Sequence, residues 1–202
     1  MKIIYLHGFG SSHASGTVEI LRRELPNDEV VAPDIPVDPV EALPYLEELC
    51  EREQPDLIIG TSMGGMYAQQ MRGFKRICIN PAFNISQHKD ILREGTFEFF
   101  NQRKDGKTTF TITPEIVNHY AEMELRQFYG IDDDERERVI ALFGDSDTTV
   151  NCEDIFLQYY KNAIHFHGGH RLDRQTIVET LIPLVHEFVR VVGVWRDDQI
   201  LS

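Results

Sequence analysis

Residues 60–65 of the 202-residue chain read Gly60-Thr61-Ser62-Met63-Gly64-Gly65, a G-x-S-x-G pattern. The largely apolar run over 56–59 has strand character, and residues 66–72 are good helix formers. A strand, a sharp turn and a helix in this order form the context of a nucleophile elbow, in which small neighbours let the turn expose the serine. The simpler alternative is a serine that only caps a helix. The context favours Ser62 as a nucleophile, with the Met63 N–H as a donor to an oxyanion.

Strand-like and helix-like segments alternate on both sides of this motif. Further strands are predicted by apolar, β-branched runs at 2–6, 29–33, 76–80, 138–143 and 162–167. Periodic apolar residues between these runs predict helices. The alternation predicts an α/β fold, a three-layer sandwich with a mostly parallel sheet, whose functional site lies at the carboxyl ends of the strands.

Residues 81–138 interrupt this rhythm. The first part, 85–100, looks loosely helical, while 108–113 alternates like a strand and predicts a small hairpin around Asp105-Gly106. A further helix is predicted to begin at Pro114, capped by the preceding threonine. We expect a lid-like insertion over the sheet ends, which either covers substrate or only packs.

The whole arrangement predicts one domain over residues 1–192 and a polar tail over 193–202. The insertion carries aromatic and basic side chains that could contact an acyl chain or an anionic headgroup. Core packing and a solvated surface explain the same residues: Phe97, Phe99, Phe100, Phe110, Tyr120, Lys89, Arg93, Arg103, Lys104 and Lys107.

The first predicted strand ends at His7-Gly8-Phe9. Many hydrolases place a second oxyanion N–H in such a turn, and here Phe9 would supply it. The alternative is a glycine loop that merely turns the chain, with His7 hydrogen-bonded to the backbone. His7, Ser11 and Ser12 are candidate substrate contacts.

A serine needs a base to take its proton and a carboxylate to orient that base. In a fold of this kind the chain order is Ser, then Asp or Glu, then His. Three histidines follow or lie in the last strand, and His170, in a loop after two glycines, is better placed than His165 or His167. For the acid, Asp145 and Asp147 compete.

At this point the chain resembles the α/β-hydrolase superfamily, whose acid loop often reads G-x-x-D-x-x-V. The segment Gly144-Asp145-Ser146-Asp147-Thr148-Thr149-Val150 matches that pattern with Asp147 in the acid position. The resemblance therefore implies Ser62, Asp147 and His170 as the catalytic residues. Asp145 would then shape the turn by accepting backbone N–H groups.

A closer resemblance is to the YqiA/YcfP-like small esterases. It is carried by Tyr5-Leu6-His7-Gly8-Phe9 with the two serines that follow, by the elbow, and by Asn80-Pro81-Ala82-Phe83, and it covers about residues 1–192. Phe83 joins the candidate substrate contacts. The resemblance implies a compact α/β-hydrolase fold with about six strands and an intracellular esterase, in some members acting on acyl thioesters.

Composition restricts the partners. The net charge of −13 argues against nucleic acid and anionic membrane surfaces. No apolar run has the length of a membrane span, and the N-terminus lacks a signal peptide, so we expect a cytoplasmic protein. Cys50, Cys78 and Cys152 are scattered, as is typical of reduced thiols. The expected partner is a small acyl ester or thioester, cleaved without metal or organic cofactor.

Other functions fit parts of the same pattern. A hydrolase fold can serve as a non-catalytic binding protein. The same three residues also serve peptidases, C–C hydrolases and perhydrolases. A hydrolytic metal site formed by His165, His167 and a carboxylate is a more distant alternative. The H-x-H spacing suits two ligands on one strand face, but the paired glycines before His170 fit a serine hydrolase better.

Overall fold

A computed structural model describes residues 1–190, and eight strands lie within them. In chain order they are β1 (Lys2–Leu6), β2 (Glu29–Val31), β3 (Leu57–Thr61), β4 (Arg76–Ile79), β5 (Gly95–Glu98), β6 (Thr109–Ile112), β7 (Val139–Gly144) and β8 (Ala163–Phe166). Six of them form one sheet in the order β2-β1-β3-β4-β7-β8, and β5 pairs with β6. The polar tail expected over 193–202 lies outside the described residues.

Every neighbouring pair in the six-stranded sheet is parallel. This arrangement confirms the predicted fold class. Parallel sheets are covered on both faces, so their strands are apolar almost throughout. Leu57, Ile58 and Ile59 of β3 show this pattern, since none of the three is exposed to solvent.

Helices cover both faces of the sheet. They are α1 (Gly16–Glu24), α2 (Pro39–Glu53), α3 (Met63–Gln70), α4 (Pro114–Glu124), α5 (Asp133–Glu137), α6 (Glu153–Tyr159), α7 (Arg174–Thr176) and α8 (Ile182–Arg190), with a 3₁₀ turn at Ile85–Gln87 and a π-helical turn at Ile177–Leu181. Within residues 1–190, no helix combines the length and the apolar character that crossing a membrane requires.

Two hydrophobic cores lie on opposite faces of the sheet. Successive side chains of a strand point to opposite faces. Ile4 and Leu6 therefore enter the core that contains the inner faces of α2, α3 and α6. Ile3 and Tyr5 enter the core that contains α1 and the helical segment after β8. The protein is thus a three-layer sandwich, as the strand and helix alternation predicts.

Helix starts follow the capping residues in the sequence. The Asp38 carboxylate accepts the Val40 N–H at 2.9 Å, and the Thr113 hydroxyl accepts the Ile116 N–H at 3.3 Å. Proline at the first helical position of α2 and α4 needs no hydrogen-bond acceptor there. The predicted start of the helix at Pro114 is confirmed.

The first part of the insertion differs from its prediction. The loosely helical segment expected over 85–100 contains only one 3₁₀ turn and then strand β5. Strand β5 pairs antiparallel with β6, and the hydroxyls of Thr96 and Thr111 are 2.9 Å apart across the pair. Helical propensity was overridden by this cross-strand pairing, which sequence periodicity does not reveal. The predicted hairpin exists, with a long connection around Asp105-Gly106.

The turn between β3 and α3 brings the chain very close to itself. A Cβ atom on Gly60 would lie 2.1 Å from the Gly64 carbonyl oxygen, and one on Gly64 would lie 2.1 Å from the Leu6 carbonyl oxygen. Ser62, between them, has φ 58° and ψ −119°, a conformation that non-glycine residues rarely adopt. The turn is therefore sterically restricted on both sides of Ser62.

Replacing Gly64 by alanine tests this close approach. Because the added methyl group meets a backbone oxygen that only a shift of β1 can relieve, we expect the free energy of unfolding to fall by about 3 kcal/mol or more. Urea unfolding of Gly64→Ala measures it. Gly16→Ala is the matched control, since nothing lies within 4 Å of its Cβ position and alanine there should be neutral or slightly stabilising. Equal unfolding midpoints for the two variants would contradict the interpretation.

Candidate active site

Ser62 lies at the carboxyl end of β3, where the backbone of the neighbouring strand holds it. Its N–H donates to the Ile79 carbonyl at 2.8 Å, and its own carbonyl accepts the Ala82 N–H at 3.1 Å. These two bonds fasten the strained residue to the end of β4. The side chain remains partly exposed at the top of the sheet.

The side chain of His170 contacts Ser62 on one side and Asp147 on the other. The distance from His170 Nε2 to Ser62 Oγ is 2.9 Å, and the distance from His170 Nδ1 to Asp147 Oδ2 is 2.7 Å. A carboxylate can only accept, so Nδ1 carries the proton in the neutral imidazole and Nε2 is left to accept from the serine hydroxyl. The Asp147 side chain is 4 % exposed and that of His170 is 18 % exposed. The three side chains thus form one continuous hydrogen-bonded chain.

Asp147 is held in place from its other oxygen. Oδ1 accepts the N–H groups of Thr149 at 2.8 Å and of Val150 at 3.2 Å. The carboxylate therefore cannot rotate without breaking these bonds, which fixes Oδ2 toward His170. This is the position that the G-x-x-D-x-x-V resemblance implies for the acid.

Asp145 has a different set of partners on the protein surface. Its carboxylate accepts from His167 Nδ1 at 2.6 Å and from the Gly168 N–H at 3.1 Å. The hydrogen bond from His167 is the largest of the causes that lower the pKa of Asp145 to about 2. Asp145 therefore ties the loop after β7 to the loop after β8 and does not reach His170.

His165 and His167, the other two candidates for the base, have partners other than Ser62. His165 and His167 are exposed, and His165 Nε2 lies 2.9 Å from Glu153 Oε1. Each is thus paired with a different carboxylate. Across residues 1–190 there is no group of three or more His, Cys, Asp or Glu side chains that could hold a metal ion.

The loop after β1 lies against the nucleophile candidate. A Cβ atom on Gly8 would be 3.4 Å from Ser62 Cβ and 4.0 Å from Ser62 Oγ. The N–H of Phe9 follows directly, and Met63 is the first residue of α3. Both predicted oxyanion donors therefore belong to backbone segments that adjoin Ser62.

Three of the four expected substrate contacts are buried in the structure. His7 is 2 % exposed, and its Nε2 accepts the Ile35 N–H at 3.1 Å while Nδ1 contacts the Gly8 carbonyl at 2.8 Å. Ser12 is fully buried and donates to the Gln102 carbonyl at 2.7 Å. Phe83 is 2 % exposed and packs edge-on against Phe128. His7 and Ser12 thus use polar atoms in bonds within the protein, and the expected substrate contacts at all three residues stay predictions.

Ser11, the fourth, is partly exposed, and its hydroxyl accepts from Asn101 Nδ2 at 3.1 Å. This bond is one of several between the loop after β1 and the insertion. The Phe100 N–H also donates to the Gly10 carbonyl at 2.8 Å, and the rings of Phe9 and Phe110 meet edge-on at 5.2 Å. The insertion is thus anchored to the loop that carries the Phe9 donor.

Asn80 is a site residue that the sequence analysis missed. Its Nδ2 donates to the carbonyls of Gly169 and His170, both at 3.1 Å, and its Oδ1 accepts the Gly144 N–H at 2.8 Å. The residue is 1 % exposed and has φ 42°. It therefore joins the end of β4 to the loops that carry Asp147 and His170. The feature of the sequence that could have indicated this role is an asparagine at the end of a predicted strand, directly before Pro81.

A cavity of about 700 Å³ lies beside the insertion and not at Ser62. It lies between the loop after β2, the first turns of α2, and the hairpin. Its lining mixes carboxylates such as Asp34 and Glu41 with the cations Lys104 and Lys107. Phe110 lines the cavity and also packs edge-on against Phe9.

The sequence matches a known family over most of its length. A profile described as "Uncharacterised protein family (UPF0227)" matches residues 2–172. The description assigns no activity, so the match identifies the family of the chain and leaves its reaction to be inferred from the site.

Solved structures share the fold at low sequence identity. Est1E from Butyrivibrio proteoclasticus is 16 % identical with a TM-score of 0.63, over 93 % of this chain and 88 % of that one. Mouse alpha/beta hydrolase domain-containing protein 10 is 12 % identical with a TM-score of 0.63, over 95 % and 90 %. The esterase domain of a Rhodothermus marinus protein is 17 % identical with a TM-score of 0.60, over 96 % and 85 %. The fold is therefore the α/β-hydrolase fold.

The environment of His7 predicts a pH dependence of stability. Burial lowers the pKa of His7 to about 4, against about 6.5 in an unfolded chain. Between these values the unfolded state binds more protons, so stability falls as the pH drops from about 6.5 to about 4, by up to about 3 kcal/mol. We expect urea unfolding to show this loss in wild type and a shallower one in His7→Gln. Parallel curves for the two proteins over this range would contradict the assignment of a buried, neutral His7.

Proposed function

The chain belongs to uncharacterised protein family UPF0227, and we propose that it is a serine hydrolase that cleaves small acyl esters or thioesters. The observation that carries the proposal is the hydrogen-bonded chain from Asp147 through His170 to Ser62, at a serine with strained backbone geometry. Nucleophile, base and orienting acid within hydrogen-bond distance are the geometric signature of an activated serine.

The proposed reaction begins with attack of Ser62 Oγ on the carbonyl carbon of the ester. His170 Nε2 accepts the hydroxyl proton during the attack, and Asp147 stabilises the resulting imidazolium. His170 then protonates the leaving alcohol or thiol, which leaves an acyl group on Ser62. Water, deprotonated by His170, attacks this acyl-enzyme and releases the acid.

The negative charge that develops on the carbonyl oxygen requires fixed donors. The N–H groups of Phe9 and Met63 are the proposed pair, since their segments adjoin Ser62 and neither depends on a side-chain rotamer. The Met63 N–H also lies at the N-terminus of α3, where the helix dipole favours negative charge. Such preorganised donors contribute on the order of 10²- to 10³-fold each to kcat.

Covalent labelling tests the activated serine. A fluorophosphonate probe should label wild type and should not label Ser62→Ala. Labelling of His170→Ala should be much weaker than that of wild type, because the reaction requires both the hydroxyl and its base. Ser146→Ala, which removes an exposed hydroxyl from the nearby loop after β7, is the matched control and should label like wild type. Labelling of Ser62→Ala would remove Ser62 as nucleophile. A folded wild-type protein that resists the probe would favour a non-catalytic binding function.

The two aspartates of the loop after β7 should differ in their effect on catalysis. Asp147→Asn removes the acceptor that fixes the His170 tautomer, so we expect kcat on a chromogenic short-chain ester to fall by about 10⁴-fold. Asp145→Asn affects only an exposed loop contact and should change kcat by less than about 10-fold. Steady-state kinetics of the two variants makes the comparison. Equal losses, or a larger loss for Asp145→Asn, would reverse the assignment of the acid.

A further inference from the structure

Phe100 and Arg171 contact each other through their side chains. The Arg171 guanidinium carbon lies 5.7 Å from the centre of the Phe100 ring, within the range of a cation–π contact. Phe100 belongs to the insertion, and Arg171 directly follows His170. The contact therefore joins the insertion to the loop that carries His170.

Phe100 is positioned by the loop after β1. A Cβ atom on Gly10 would lie 3.0 Å from the ring, and the Phe100 N–H donates to the Gly10 carbonyl. Despite this close contact with Gly10, Phe100 is 69 % exposed. A large aromatic ring with one face on the loop and the rest in water has surface available for a ligand.

Arg171 is exposed and lacks a carboxylate partner among residues 1–190; its contact there is the Phe100 ring. The acidic side chains near it in sequence or space are already engaged. Asp147 is bonded to His170, Asp145 to His167, and Asp173 caps α7 through the Thr176 N–H. An exposed guanidinium without a carboxylate partner in the described part of the chain therefore directly follows the proposed base in the sequence.

Arg171 has no part in the proposed proton transfers, which involve Ser62, His170 and Asp147. The protein as a whole carries a net charge of −13, which repels anions from its surface. A cation at this one position makes physical sense if it meets a negative charge on the substrate.

We propose that Arg171 binds an anionic group carried by the ester or thioester substrate, while Phe100 packs against the adjoining part of the same molecule. This inference rests on the proposed function and names its substrate class. A guanidinium suits the task because it offers paired N–H donors in the geometry of a carboxylate or phosphate. The exposed cation–π contact is weak in water, so an arriving anion can take over the guanidinium.

Two matched pairs of esters test the proposal, with the negative charge on opposite sides of the scissile bond. The acyl-side pair is 4-nitrophenyl hexanoate and the mono-4-nitrophenyl ester of adipic acid. The leaving-group pair is methyl 4-acetoxybenzoate and 4-acetoxybenzoic acid. Within each pair the shapes are close and the charge differs, so the change in the ratio of kcat/KM values between wild type and a variant isolates charge recognition by the substituted residue.

Arg171→Gln should lower kcat/KM for at least one charged ester by about 10- to 100-fold and change its neutral partner by less than about 2-fold. Arg171→Lys should keep part of the preference, because it retains the charge and loses the forked donors. Added salt should weaken the wild-type preference. Which pair responds identifies the side of the substrate that carries the charge.

Two controls separate recognition from a structural effect. Arg174→Gln removes an exposed arginine three residues further on, one that pairs with Glu24, and should leave every ratio unchanged. Phe100→Ala removes apolar surface and the contact itself, so it should affect charged and neutral esters alike. Thermal unfolding should show Arg171→Gln to be as stable as wild type, since the side chain is exposed.

The charged-to-neutral ratio decides the matter. If wild type and Arg171→Gln give the same ratio for both pairs while neutral esters are hydrolysed, the inference is wrong and the proposed function stands. A wild-type protein that hydrolyses none of the four esters would overturn the proposed function, and the inference with it.

Discussion

The close packing of backbone at the elbow is the constraint on which the candidate site depends. Gly60 and Gly64 allow the end of β3, the start of α3 and the end of β1 to approach within distances that any side chain would prevent. This approach forces Ser62 into its strained conformation and places Gly8 against it. One steric condition thus aligns the proposed nucleophile with both proposed oxyanion donors, and the hydrophobic cores on either face keep the strands from relaxing.

Asn80 extends that alignment to the other half of the site. The N–H of Ser62 bonds to Ile79, the residue before Asn80, so the elbow and the amide belong to one rigid strand end. The amide then reaches the loops of both partner residues through three hydrogen bonds. Buried amides whose donors and acceptor are all used leave few alternative arrangements. Backbone segments therefore set the positions of the three residues, and the side chains of Ser62, His170 and Asp147 then form the hydrogen-bonded chain.

Local patterns in the sequence predicted a large part of this arrangement, and long-range pairing explains the remainder. The elbow, the helix caps at Asp38 and Thr113 and the alternation of strands depend on neighbouring residues. The pairing of β5 with β6, the burial of His7 and the bonds of Asn80 depend on segments distant in the chain. For the acid, the spacing alone left two aspartates, and the superfamily resemblance chose Asp147, the one that contacts His170.

The insertion is attached more firmly to the loop after β1 than to the loop that carries His170. Its central segment is bonded to the loop after β1 at Gly10, Ser11 and Ser12, and the phenol of Tyr120 donates to the Val37 carbonyl at 2.9 Å. Lifting the insertion as one body would break these bonds and separate the packed rings of Phe9 and Phe110. The seam between Phe100 and Arg171 rests on one exposed cation–π contact, worth about 0.5–1 kcal/mol. The insertion is therefore held to the loop after β1 by several bonds and to Arg171 by a single weak contact, so the contact with Arg171 is the easier of the two to break.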